Sequence, residues 1–117
     1  MNTITKNGAK ILLRNIIVAC KHDRAKSVRL RHIIRDGLEL TKNEPIQGED
    51  ILKIYSRLSD LVEKFKNKQG AKADVLNNIN RAVIAFNVLF ACSDCGKFSS
   101  TKVDFDNVYA EYNLPRV

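Results

Sequence analysis

Two groups of residues in this sequence have types and spacings suited to chemistry. The larger is a crowd of cations. Residues 1–42 carry ten basic side chains, Lys6, Lys10, Arg14, Lys21, Arg24, Lys26, Arg29, Arg31, Arg35 and Lys42, against three acids, Asp23, Asp36 and Glu39. Residues 43–117 hold ten of each, so the whole net charge of +7 lies in the first third of the chain. Charge this concentrated draws an anionic partner. Lysines and arginines that meet phosphates release condensed counterions. The arginine guanidinium adds a planar fork that bridges phosphate oxygens or a guanine edge. The candidate contacts are Lys10, Arg14, Lys21, Arg24, Arg29, Arg31, His32 and Arg35. They predict a nucleic-acid partner. An acidic surface on a larger protein is the alternative, because carboxylates attract the same cations.

The second group is Cys92-x-x-Cys95, followed by Gly96-Lys97, which resembles one zinc knuckle. Structural zinc takes four ligands, so Cys92 and Cys95 are half a site. Cys20, His22 and His32 are the other candidates. Cys20 falls on an apolar arc and His32 among arginines. In an up-down bundle the first and fourth helices also end at opposite poles, which keeps Cys20 and His22 from the pair. A second copy of the chain offers the remaining route to a four-cysteine site. The expectation is no metal and no cofactor, with structural thiols. Redox chemistry is disfavoured, since reactive CxxC pairs draw acidity from a helix N-terminus and this pair follows a helix.

Enzyme motifs are missing. Gly96-Lys97 lacks the upstream glycine of a P-loop. His22 and Asp23 are sequence neighbours, about 100° apart on a helix, and so poorly placed as a base and its orienter. The chain is expected to be non-catalytic.

These residues must be carried by helices. Two prolines and five glycines in 117 residues leave little material for the turns of a many-stranded sheet. Apolar periodicity predicts a first helix over Thr5–His22, with Ala9, Leu12, Leu13, Ile16, Ile17, Ala19 and Cys20 on one face. A second is expected over Asp23–Leu40. Its apolar side is Leu30, Ile33, Ile34, Gly37 and Leu38, and Lys21, Arg24, Arg29, Arg31, His32 and Arg35 fan over the other. A third spans Glu49–Asn67, with Ile51, Ile54, Tyr55, Leu58, Leu61, Val62 and Phe65 on one arc. A fourth spans Asp74–Asp94. From Ala82 to Cys92 it carries one polar residue, Asn87, so this half should be enclosed on all sides. Asn87 then reads as a satisfied core amide. A short fifth helix is expected after Asp104, through Phe105, Val108, Tyr109 and Tyr112. The fold class is all-α, a compact bundle of four main helices plus this short one, forming a single domain over residues 1–117.

Ile4, Ile11 and Val18, spaced by seven, form a back stripe on the first helix. It reads first as a second internal contact and otherwise as a partner interface. The spare apolar surface also suggests a homodimer. Three cysteines are too few and odd in number for a disulfide scaffold, no signal peptide is visible, and no apolar run spans a bilayer. These features predict a cytoplasmic protein with no membrane partner. Ile33 to Ser59 locally resembles the first two helices of winged-helix proteins, where a Pro-x-x-Gly-Glu stretch like Pro45–Glu49 opens helix two. The resemblance ends there: no glycine turn follows Leu58, and no strand pair for a wing is in view.

Overall fold

The computed structural model describes residues 3–22, 26–67, 70–96 and 102–104. Four helices carry the fold: α1 (Lys6–Ala19), α2 (Val28–Leu40), α3 (Gly48–Phe65) and α4 (Ala71–Ala91). Two three-residue strands, β1 (Thr3–Thr5) and β2 (Lys102–Asp104), pair antiparallel, with Ile4 opposite Val103. The all-α fold holds, with this ribbon added. The fifth helix expected after Asp104 lies outside the described residues.

Side-chain caps set where the first two helices begin. The Gly8 N–H donates to Thr5 Oγ1 at 2.9 Å, which starts α1 where expected. The Leu30 N–H donates to Ser27 Oγ at 3.2 Å. With Ser27 as its cap, α2 begins at Val28, five residues later than Asp23, and Lys21 and His22 belong to the turn after α1. An N-cap oxygen satisfies one of the amides that a helix start leaves without an intrahelical partner. At the other end of α3, Asn67 takes φ 66°, a left-handed conformation that asparagine tolerates better than most residues. It ends α3 at Phe65, before Gly70.

The helices run up and down. Lys6 Nζ lies 3.8 Å from Glu44 Oε1, and the Asp94 N–H donates to the Ile46 carbonyl at 2.8 Å. One pole thus gathers the start of α1, the α2–α3 connection and the end of α4. At the opposite pole the Ser27 N–H donates to the Cys20 carbonyl, and Lys72 Nζ lies 4.8 Å from the Phe65 ring centre. Each helix packs on its two ring neighbours, α4 most extensively on α1 and then on α3.

The second half of α4 is the most buried segment, as its composition predicted. Ala82, Val83, Ala85, Phe86, Val88, Leu89, Phe90 and Ala91 are all core, while Ile84 and Cys92 are half-buried, so the enclosure on all sides is not complete. Asn87 is fully buried, and its Oδ1 accepts from the Tyr55 hydroxyl of α3 at 2.5 Å. The expected core amide is satisfied across a helix interface. On the diagonal, a Cβ added at Gly37 would stand 2.4 Å from the Phe86 ring. Only glycine lets α2 approach α4 this closely. α3 continues unbroken from Gly48 to Phe65, through the point where a winged-helix turn would fall.

Candidate nucleic-acid interface

The site is built from the outer sides of α1 and α2. On α2, Leu30, Ile33, Ile34 and Gly37 are buried, which turns Arg29, His32 and Arg35 to solvent. This is the period of a helix buried on one side. On α1, burial of Ala9, Leu13 and Ile16 likewise turns Arg14 outward. Lys21 and Lys26 are exposed in the connection between the two helices.

Several expected members of the cationic face are placed differently. Arg31 does not fan outward with the others. It is half-buried, its guanidinium influences the Cys20 thiol at the end of α1, and its Nε is buried with no acceptor among the described residues. Lys10 is also half-buried. Lys21 lies in the turn after α1, because that helix ends at Ala19 and not at His22 as expected. Arg24 lies outside the described residues.

The stripe of Ile4, Ile11 and Val18 is not one stripe. Ile4 belongs to β1, in extended backbone, and packs against the core. Ile11 and Val18 stay on the outer side of α1, 54% and 56% exposed, so the expected second internal contact does not form for them. The seven-residue spacing holds along one helix only, and the chain changes conformation at Thr5.

Ion pairing is uneven over the surface, and Lys64, Lys72 and Arg81 on α3 and α4 also have no acid within ion-pairing distance among the described residues. Asp36 and Glu39, on the later turns of α2, are engaged: Arg57 of α3 lies 2.8 Å from Asp36, and Lys42 lies 3.0 Å from Glu39. Lys53 and Lys66 of the α3 region lie within 4 Å of Asp50 and Glu63. Among the described residues, no acid comes within ion-pairing distance of Arg14, Lys21, Arg29, His32 or Arg35.

The cysteines are split between the poles. Cys20 is buried beside the start of α2, and burial pushes its thiol up despite the opposing Arg31. Cys92 is half-buried at the other pole, and burial raises its thiol against the influence of Lys6. Cys95 is exposed. Among the described residues no three His, Cys, Asp or Glu side chains are grouped to hold a metal ion. What the pair does touch is α3. Asp94 Oδ1 accepts from the Gly48 N–H at 2.7 Å, and a Cβ at Gly48 would lie 2.8 Å from Cys95 Sγ. Cys95 thus stands beside a helix N-terminus after all, that of a different helix. Asp94 already occupies it, and its hydrogen bond to Cys95 raises that thiol. No local motif announced this contact, which joins residues 46 apart.

No helix among the described residues is long and apolar enough to cross a membrane. The chain matches no family model, no curated protein and no solved structure.

Proposed function

We propose that this protein is a small, non-catalytic nucleic-acid-binding protein, acting as a cytoplasmic regulator through the cations of α1, α2 and their connection. One observation carries the reading. Arg14, Lys21, Arg29, His32 and Arg35 are exposed on α1, α2 and their connection, with no acid within ion-pairing distance among the described residues. Lys64, Lys72 and Arg81 on α3 and α4 also have none, and it is their concentration in the first third of the chain that sets the first five apart. The guanidinium groups of Arg14, Arg29 and Arg35 stand on two packed helices and are positioned at no further ordering cost to the backbone. Each phosphate they neutralise releases a counterion, so binding must weaken steeply with salt. The test is fluorescence anisotropy with labelled nucleic acid at rising salt. Replacing Arg14, Arg29 and Arg35 by alanine should weaken binding and flatten the logarithmic salt slope by about 0.9 for each lost contact. Wild-type affinity that ignores salt would sink the proposal.

Exposed Ile11, Val18 and Val28 favour a second reading. Aliphatic side chains contribute little to phosphate binding, but beside cations they suit an acidic and partly apolar protein surface. Pull-down from the native host's lysate, set against the anisotropy result, separates the two. A homodimer using the same exposed aliphatics belongs to this proposal. Sedimentation that gives a monomer at every concentration removes it.

A further inference from the structure

We infer that the nucleic acid crosses the seam between α2 and α3 near the start of α2, and that Lys64 and Lys72, outside the basic first third, hold its phosphates together with Arg29. The inference rests on the nucleic-acid reading above and locates its contact surface.

The ion pair of Asp36 and Arg57 fixes which residues meet at this seam. Arg57 Nη1 lies 2.8 Å from Asp36 Oδ2, and the two side chains are 42% and 60% exposed, so the pair marks the outer edge where α3 and α2 touch. The two helices are antiparallel neighbours in the up-and-down arrangement. Seven residues along a helix return to within about 20° of the same direction after a rise of about 10 Å. That step toward the start of α2 leads from Asp36 to Arg29, and the same step toward the same pole leads along α3 from Arg57 to Lys64. Arg29 and Lys64 therefore stand level on the two banks of one seam. Where Asp36 and Arg57 oppose each other with unlike charges, these two are both cations, and both are exposed.

α4 continues the row. Lys64 Nζ lies 5.7 Å from the centre of the Phe65 ring, and Lys72 Nζ lies 4.8 Å from it. Two ammonium groups from different helices thus share one ring. Among the described residues no acid lies within ion-pairing distance of Arg29, Lys64 or Lys72. The acids of this end are otherwise placed. Glu63 is held by Lys66 at 3.7 Å. Asp74 is half-buried and about 200° around α4 from Lys72. Asp60 is exposed one turn before Lys64 on the same bank, and no ion pair joins the two. Like charges gathered in this way repel one another, and a phosphate between them replaces repulsion by attraction. Neighbouring helix axes lie about 8–10 Å apart, so cations on three helices suit successive phosphates of a backbone better than one small anion.

The test uses the full chain with a labelled DNA duplex and a labelled RNA strand of equal length, read by anisotropy at rising salt. Arg29→Ala, Lys64→Ala and Lys72→Ala should each weaken the tighter probe by about two- to fivefold. Each should flatten the logarithmic salt slope by about 0.9 on the duplex or about 0.7 on the single strand. Lys53→Ala removes the same charge from the same bank of α3, farther along the seam and beside Asp50. It should change affinity by less than about twofold. Asp60→Asn should strengthen binding by removing the acid nearest Lys64 along that bank. In the wild type, acetylation read by mass spectrometry should find Lys64 and Lys72 protected by the bound probe and Lys53 unprotected. If Arg29→Ala weakens binding while Lys64→Ala and Lys72→Ala match wild type, the inference is overturned and the nucleic-acid reading stands. Unchanged acetylation of Lys64 and Lys72 in the complex has the same consequence. Failure of both probes to bind at low salt removes that reading and this inference together.

Discussion

The carboxylate of Asp94 accepts a hydrogen bond from the backbone N–H of Gly48 at 2.7 Å. A residue just past the end of α4 thus supplies the cap that α3 lacks locally, since Gln47 makes no side-chain capping bond. The carbonyl of Ile46 accepts from the Asp94 N–H in return, so the turn after α4 is clamped to the α2–α3 connection from both sides.

Asp94→Ala should lower the melting temperature at pH 7, and the loss should depend on pH. The Gly48 N–H, and after it the Cys95 side chain, hold the Asp94 carboxyl below its ordinary value. A depressed folded-state value contributes stability that is fully present above the unfolded carboxyl's pKa of about 3.9. That stability is lost as pH falls through the lower folded value. Calorimetry should therefore find a constant gap between wild type and variant from neutral to mildly acidic pH, closing under stronger acid. A gap that persists unchanged in strong acid would mean that the ionised carboxylate is not what stabilises the clamp.

Gly37→Ala should destabilise the fold even though alanine is the better helix former. The added methyl would stand 2.4 Å from the Phe86 ring, inside the core. Overpacking of this kind costs about 1–3 kcal/mol, against a propensity gain of up to about 1 kcal/mol. Chemical denaturation measures the net loss. Combining the change with Phe86→Leu should recover part of the clash, and a variant as stable as wild type would show that α2 and α4 can move apart freely.

Asp36→Ala should strengthen binding of a polyanion. Asp36 borders the cations of α2 and is held by Arg57 at 2.8 Å. Its removal deletes a negative charge at the edge of the face and frees a guanidinium beside it. An exposed pair of this kind contributes about 0–1 kcal/mol, so stability should change little. Affinity at low salt should rise by about two- to fivefold. Anisotropy and a thermal melt on the same sample read both quantities, and weaker binding would place the anion elsewhere.

The three thiols should react unequally. Cys20 is buried and should resist iodoacetamide until the protein unfolds, whereas Cys95 is exposed and should be alkylated in the folded state. Its rate at neutral pH should be low for an exposed thiol, because the hydrogen bond to Asp94 raises it and only thiolate reacts. Asp94→Ala should speed alkylation at Cys95 and shift its pH midpoint downward. Mass spectrometry that still finds Cys20 unmodified in the variant confirms that the fold is intact.

The helical core was legible because burial on one side leaves a period in the sequence. Leu30, Ile33, Ile34 and Gly37 recur as a core-facing set on α2, with Leu38 half-buried at its edge, and the nearly unbroken apolar run from Ala82 to Cys92 announced an enclosure that leaves only Ile84 and Cys92 half-buried. The charge excess of the first third is likewise a property of the sequence alone, as is the outward turn of Arg29, His32 and Arg35, which follows from what their helix buries.

What the tertiary structure decided are relationships that no local period encodes. Ser27 and Asp23 are both capping residue types, and the contact of the Ser27 region with the end of α1 goes with a start at Ser27. Ile4 shares a spacing of seven with Ile11 and Val18, but pairing with residues near 103 places it in a strand and breaks the stripe. Arg31 looks like its neighbours in sequence, yet the position of α1 turns it into a half-buried side chain near Cys20. Asp94 reads as one more acid after a helix, and only the meeting of two chain segments 46 residues apart makes it the cap of α3. Helical periodicity reports which side of an element faces the core. It carries no information about which other element waits there, and that is settled by packing.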